Sequence, residues 1–171
     1  MKHQQILAAA VVLTSSLLAA GSAEAVTKFK TNPVAREEVP AIHSLGAGTF
    51  NATLNDANTQ LDWQLTFDKL AGNVTQAHIH FAQAGVNGGI MVFLCTNLGN
   101  GPVGTQTCPS AGGTISGDLT AADVVGPTAQ GMAVGNFGPV VRALKQGVTY
   151  VNVHSDKYPG GEIRGQLKIV P

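Results

Sequence analysis

Apolar and polar residues alternate along several stretches of the chain. Leu61, Trp63, Leu65 and Phe67 alternate with Asp62, Gln64 and Thr66, which predicts a half-buried strand with its apolar face on a core. Ala77, Ile79 and Phe81 alternate with His78 and His80 in the same way. The turn-rich stretch Gly85-Val86-Asn87-Gly88-Gly89 leads to the continuously apolar run Ile90 to Cys95, which predicts an interior strand. Thr114 to Leu119 predicts another short strand. Val148 to His154 and Glu162 to Val170 form a terminal hairpin around Pro159-Gly160-Gly161. Thr120-Ala121-Ala122-Asp123 opens one helical turn, with Asp123 as a cap or first-turn acid. Pro139 to Gln146 is a short helix ended by Gly147. Val26 to about Ala47, interrupted by Pro33 and Pro40, is an extended segment ending in a strand. Six or seven short strands with two short helices place the chain in the all-β class, as an antiparallel β-sandwich or barrel, Greek-key-like.

The first 25 residues stand apart from this pattern. Lys2 and His3 precede an apolar run from Ile6 to Ala20, and Ala23-Glu24-Ala25 has the small-x-small form of a cleavage site. The run is about 15 residues, short of the ~20 that span a bilayer. Residues 1–25 are therefore expected to be a signal peptide, 26–46 an extended N-terminal segment, and 47–171 one β domain. This predicts a secreted or periplasmic protein with no membrane span in its mature form. The chain carries 10 basic and 10 acidic residues, and cleavage would remove one of each, Lys2 and Glu24. A neutral, sparsely charged chain offers nucleic acid or an anionic membrane no electrostatic attraction. In an oxidising compartment Cys95 and Cys108 are expected to form a disulfide, closing the Gly-rich segment between them and stabilising by about 3 kcal/mol. The alternative is a pair of thiolate metal ligands, without the C-x-x-C spacing usual for one.

Several ordered motifs then carry a resemblance. Ala77-His78-Ile79-His80-Phe81 is followed by Ala84-Gly85-Val86-Asn87-Gly88-Gly89 and the apolar strand to Cys95. Leu119-Thr120-Ala121-Ala122-Asp123-Val124 comes next. Tyr150-Val151-Asn152-Val153-His154-Ser155 and Tyr158-Pro159-Gly160-Gly161-Glu162-Ile163-Arg164-Gly165-Gln166 close the series. From about Ala47 to Leu167 the chain resembles the CHRD (chordin-type) domain family. The resemblance implies an all-β extracellular domain for which no general biochemical activity is established. The separate cysteine-rich modules through which chordin binds growth factors have no counterpart here, so that activity does not carry over.

The histidines are the main chemical lead. Residues two apart on a strand share a face, so His78 and His80 lie together, opposite Ile79 and Phe81. With Val151 and Val153 on the core, His154 points outward beside Asn152. The three imidazoles converge if the two strands are neighbours in one sheet, and imidazoles suit copper or zinc. The competing reading makes them hydrogen-bonding residues that fix the strand, with Asp156, Tyr158 and Glu162 as partners. Glu162 and Arg164 share a face and are expected to form a charged network with His154 or Asp156. A similar H-x-H strand element occurs in the copper-zinc superoxide dismutase sandwich, which is an analogy of architecture only. That chemistry needs more histidines and a bridging ligand, and only His43 remains in the expected mature part. Gly88-Gly89 and Gly112-Gly113 are read as turn positions with positive φ.

No G-x-S-x-G, phosphate loop or H-E-x-x-H occurs, and Ser155 points away from its neighbour His154. The sequence therefore predicts an exported, non-enzymatic protein of binding or structural type, acting on an extracellular protein or surface partner. The second reading is a copper- or zinc-binding protein using His78, His80 and His154. The third is a dismutase-like redox metalloprotein.

Overall fold

A computed structural model of the protein describes residues 26–171; the expected signal peptide lies outside the described residues. The strands are β1 (Thr27–Thr31), β2 (Ala47–Leu54), β3 (Leu61–Asp68), β4 (Val74–Phe81), β5 (Gly89–Thr96), β6 (Gly113–Leu119), β7 (Thr149–Ser155), β8 (Ile163–Gln166) and β9 (Lys168–Val170). They form two antiparallel sheets, β6-β3-β2-β1-β9 and β5-β4-β7-β8, so the fold is a β-sandwich rather than a barrel. The alternation in β3 does what it predicts: Leu61, Trp63, Leu65 and Phe67 are buried and the residues between them exposed. From the other sheet Ala77, Ile79, Val151, Val153 and Ile163 meet them in one core.

Three features depart from the sequence pattern. The N-terminal segment supplies β1, which sits between β2 and β9 although Phe29 is its only large apolar residue. The stretch from Glu162 to Val170 is two strands: β8 belongs to the four-stranded sheet and β9 to the five-stranded one, and the chain crosses between them at the buried Leu167. The longer helix, α1, spans Phe137–Lys145, beginning two residues before Pro139 because proline fits a first turn. Phe137, Val140, Val141, Ala143 and Leu144 are its buried face. Ala121–Asp123 is a 3-10 turn, and the Asp123 carboxylate accepts from the Thr120 backbone N–H and hydroxyl, at 2.8 and 3.1 Å.

Cys95 and Cys108 are disulfide-bonded. The bond ties the end of β5 to the connection toward β6. Neither sulfur is a thiolate, which removes the cysteine-ligand alternative.

In β7 every residue is buried. An antiparallel strand commonly has one dry face and one wet one, yet here Tyr150, Asn152 and His154, on the side away from the core, are as covered as Val151 and Val153. The cover comes from loops. Residues 82–88 fold over the sheet, Val34 pairs with Arg164 beyond the edge of β8, and the turn 156–161 closes one end.

Candidate metal-binding site

The site stands on the outer face of the four-stranded sheet. β4 and β7 are both interior strands and are hydrogen-bonded to each other. Across this ladder Gln76 faces His154, His78 faces Asn152, and His80 faces Tyr150. His78 is thus one diagonal step from His154, a separation that long side chains close. The structure brings all three predicted histidines together, with one ligand-competent nitrogen from each within 4.8 Å of the others. Among the described residues the group contains no cysteine or carboxylate. His43 is exposed and lies outside it.

The hydrogen bonds determine where the protons sit. His80 Nδ1 lies 3.0 Å from the Gly88 carbonyl oxygen and His154 Nδ1 lies 2.9 Å from that of Pro159. A carbonyl oxygen only accepts, so both rings carry their proton on Nδ1 and present a lone pair at Nε2. His78 Nδ1 is 3.2 Å from His154 Nε2 and must donate to it. His78 therefore also has its lone pair at Nε2. The Nε2 atoms of His78 and His80 are buried and have no hydrogen-bond partner. Leaving a buried acceptor unanswered costs about 1–3 kcal/mol.

The surroundings keep the cluster uncharged. Burial is the main cause that holds His78 far below the usual imidazole range, with His154 and His80 adding to it. Burial also lowers His80, to about 4, against the opposing bond to Gly88 and with help from His154 and Arg164. His154 is lowered by burial, against the bond to Pro159. At neutral pH the site holds three neutral imidazoles, the form that coordinates metals.

The outward orientation expected for His154 is correct for the sheet but not for exposure, because the loops seal this face. The expected partners are also different. Asp156 accepts from the Asn73 backbone and side-chain amides. Tyr158 donates to the His43 carbonyl. Glu162 accepts from Ser44, Ser155 and the Ala71 N–H. Among the described residues no ion pair joins Glu162 or Arg164 to His154 or Asp156.

Arg164 instead lies 2% exposed with its guanidinium carbon 3.5 Å from the centre of the Tyr150 ring. Tyr150 in turn stacks on His80, with ring centres 4.8 Å apart and planes 6° from parallel. The guanidinium donates to Asn87 Oδ1 at 2.9 Å and to the Val86 carbonyl at 2.7 Å. Asn87 donates to the Val39 carbonyl. One buried cation thus pins the loop whose Gly88 carbonyl orients His80. Gly88 and Gly89 do not have positive φ, unlike Gly112 and Gly113. Gly88 is needed for close approach, because a Cβ there would run into the Phe81 carbonyl.

Sequence reasoning did not single out Tyr150 or Glu38 as site residues. Tyr150 was legible, since it alternates with Asn152 and His154 along one strand face. Glu38 gave no signal. It reaches the sheet from the N-terminal segment, accepts from Asn152 Nδ2 at 2.6 Å, and is pushed up to about 7, chiefly by burial.

A family model for the CHRD domain matches residues 29–167, most of the described chain. The chain belongs to the CHRD domain family. No curated protein matches it, and neither does any solved structure. The matched span of this CHRD domain includes β1 and every residue of the histidine cluster, and the family is not known as an enzymatic one.

Proposed function

We propose that this chain is an exported, non-enzymatic CHRD-domain protein that holds one copper or zinc ion on His78, His80 and His154. One observation carries the reading: three buried, neutral imidazoles converge on one point, and two of their nitrogens have no hydrogen-bond partner. A metal ion would answer the His80 Nε2 lone pair and take the place of the proton shared by His78 and His154. Ligands about 2.0–2.1 Å from a tetrahedral ion are about 3.3 Å apart, and His78 Nδ1 and His154 Nε2 are already separated by 3.2 Å. His78 would bind through that atom once its proton moves to Nε2. His80, the third imidazole, closes the remaining distance by a side-chain shift, its candidate nitrogen lying within 4.8 Å of the other two. The Gly88 and Pro159 carbonyls act behind the ligands, holding the rings in the coordinating tautomer.

Export is supported by the N-terminal leader pattern and agrees with the disulfide. A partner-binding surface has less support. The exposed large apolar residues Val26, Leu45, Val86, Leu98, Val103, Val134 and Ile169 come from seven separate points of the chain, as on most soluble surfaces. Dismutase-type chemistry lacks a fourth histidine among the described residues of the cluster.

Calorimetric titration of the metal-free mature protein with copper(II) and zinc(II), beside His78→Ala/His80→Ala, tests the reading. Stoichiometric sub-micromolar binding, lost in the variant, is the expected result. No binding, or binding unchanged in the variant, contradicts it and leaves the histidines as structural residues.

A further inference from the structure

The donor set and its surroundings distinguish between the candidate ions. We infer that this site, taken as the metal centre proposed above, is selective for monovalent copper over copper(II) and zinc(II).

Charge separates the ions first. Three neutral imidazoles bring no negative charge, and no carboxylate or thiolate belongs to the group. A bound divalent ion keeps its full +2 in a place from which water has been removed. The cost of moving an ion out of water grows with the square of its charge, so a monovalent ion incurs about a quarter of it. Structural zinc sites usually offset this with thiolates, and catalytic ones with an open water position.

Arg164 adds to this. Its guanidinium is buried, stacked on Tyr150, which is stacked on His80. Among the described residues no carboxylate lies within ion-pair distance of it. Glu162 is engaged by Ser44, Ser155 and Ala71. Glu38 bonds to Asn152 and interacts with Arg164, but burial raises it to about 7, so at neutral pH it offsets the Arg164 charge only in part. An ion held by His80 therefore experiences the repulsion of this cation, and a divalent ion experiences twice as much as a monovalent one.

Coordination number points the same way. Copper(I) is satisfied by two or three ligands, whereas zinc(II) takes four. The cluster offers three, and His78 is fully buried. The loop pinned by Arg164 also carries the Gly88 carbonyl that bonds His80.

The test uses the metal-free mature protein with its disulfide intact. Copper(I) is supplied anaerobically as its acetonitrile complex and competed against bicinchoninate, and copper(II) and zinc(II) affinities are measured in parallel. The expected result is one copper(I) per chain, bound at least about tenfold more tightly than either divalent ion, the factor that one extra unit of like charge brings at partly buried range. Arg164→Gln should narrow that ratio and Arg164→Lys should retain more of it. The wild-type ratio decides the matter even if both variants fold poorly. A divalent ion bound as tightly as copper(I), or more tightly, overturns the selectivity and leaves the metal site standing. If none of the three ions binds, the selectivity and the metal site fall together.

Discussion

His78 Nδ1 lies 3.2 Å from His154 Nε2 although 76 residues separate them in the chain. The contact exists because β4 and β7 are neighbours and their register sets Gln76, not His78, directly opposite His154. In the diagonal that results the two rings meet edge to face, with centres 5.0 Å apart and planes 61° from parallel.

Burying three neutral histidines sets the acid behaviour of the fold. Their folded-state pKa values are lowered, to about 4 for His80, while in the unfolded chain they stay near 6.5. As pH falls through 6.5 the unfolded chain takes up protons that the folded one refuses, so stability declines. Glu38 acts in the opposite direction between about 4.5 and 7, because its raised value lets the folded state hold a proton that the unfolded one releases. With three groups against one, the net difference approaches two protons, a loss of about 2.7 kcal/mol per pH unit at the steepest point. Urea midpoints measured on the metal-free protein from pH 7 to pH 4.5 should fall steadily. A flat or rising series contradicts the buried, neutral cluster.

Arg164→Ala should destabilise the protein by about 3 kcal/mol. It removes a buried cation–π contact and two hydrogen bonds from a charged donor. The amides of residues 83–88 should also exchange faster with solvent, since the guanidinium is what holds Val86 and Asn87 to the sheet. A change below about 1 kcal/mol with unaltered exchange would show that the loop closes without it.

Gly88 and Gly85 make a controlled pair. Gly85→Ala meets open space and incurs only the cost of positive φ, about 1 kcal/mol. Gly88→Ala puts a methyl into the Phe81 carbonyl and should cost more than about 2 kcal/mol, the range of overpacking. It should also shift the His80 imidazole resonances in NMR, because the Gly88 carbonyl must move. Equal costs at the two positions contradict the close approach.

Replacing Cys95 and Cys108 together by serine should cost about 3 kcal/mol in the loop-entropy account. The metal affinity should remain, since neither sulfur belongs to the cluster. Loss of binding in a folded double variant would return the cysteines to the list of ligands.

Local pattern carried the core and the shared face of His78 and His80. Leu61, Trp63, Leu65 and Phe67 declared their strand by alternation alone, and His78 and His80 had to share a face once Ile79 turned inward. What local pattern could not carry was the cover. Whether an outward-facing residue meets water depends on loops that return from elsewhere. Those loops are held by a few long-range contacts, such as Arg164 to Val86 and Asn152 to Glu38, 78 and 114 residues apart. β1 was hidden for a related reason: Phe29 gives too short a signal, and the strand forms because β2 and β9 pair with it on both sides.

The central claim is that three imidazoles hold one metal ion, and X-ray absorption at the metal edge of the copper- or zinc-loaded protein tests it most directly. The account predicts a shell of three imidazole nitrogens at about 2.0 Å, absent when His78 and His80 are replaced by alanine. A shell dominated by oxygen, or one that the double replacement leaves unchanged, would contradict it.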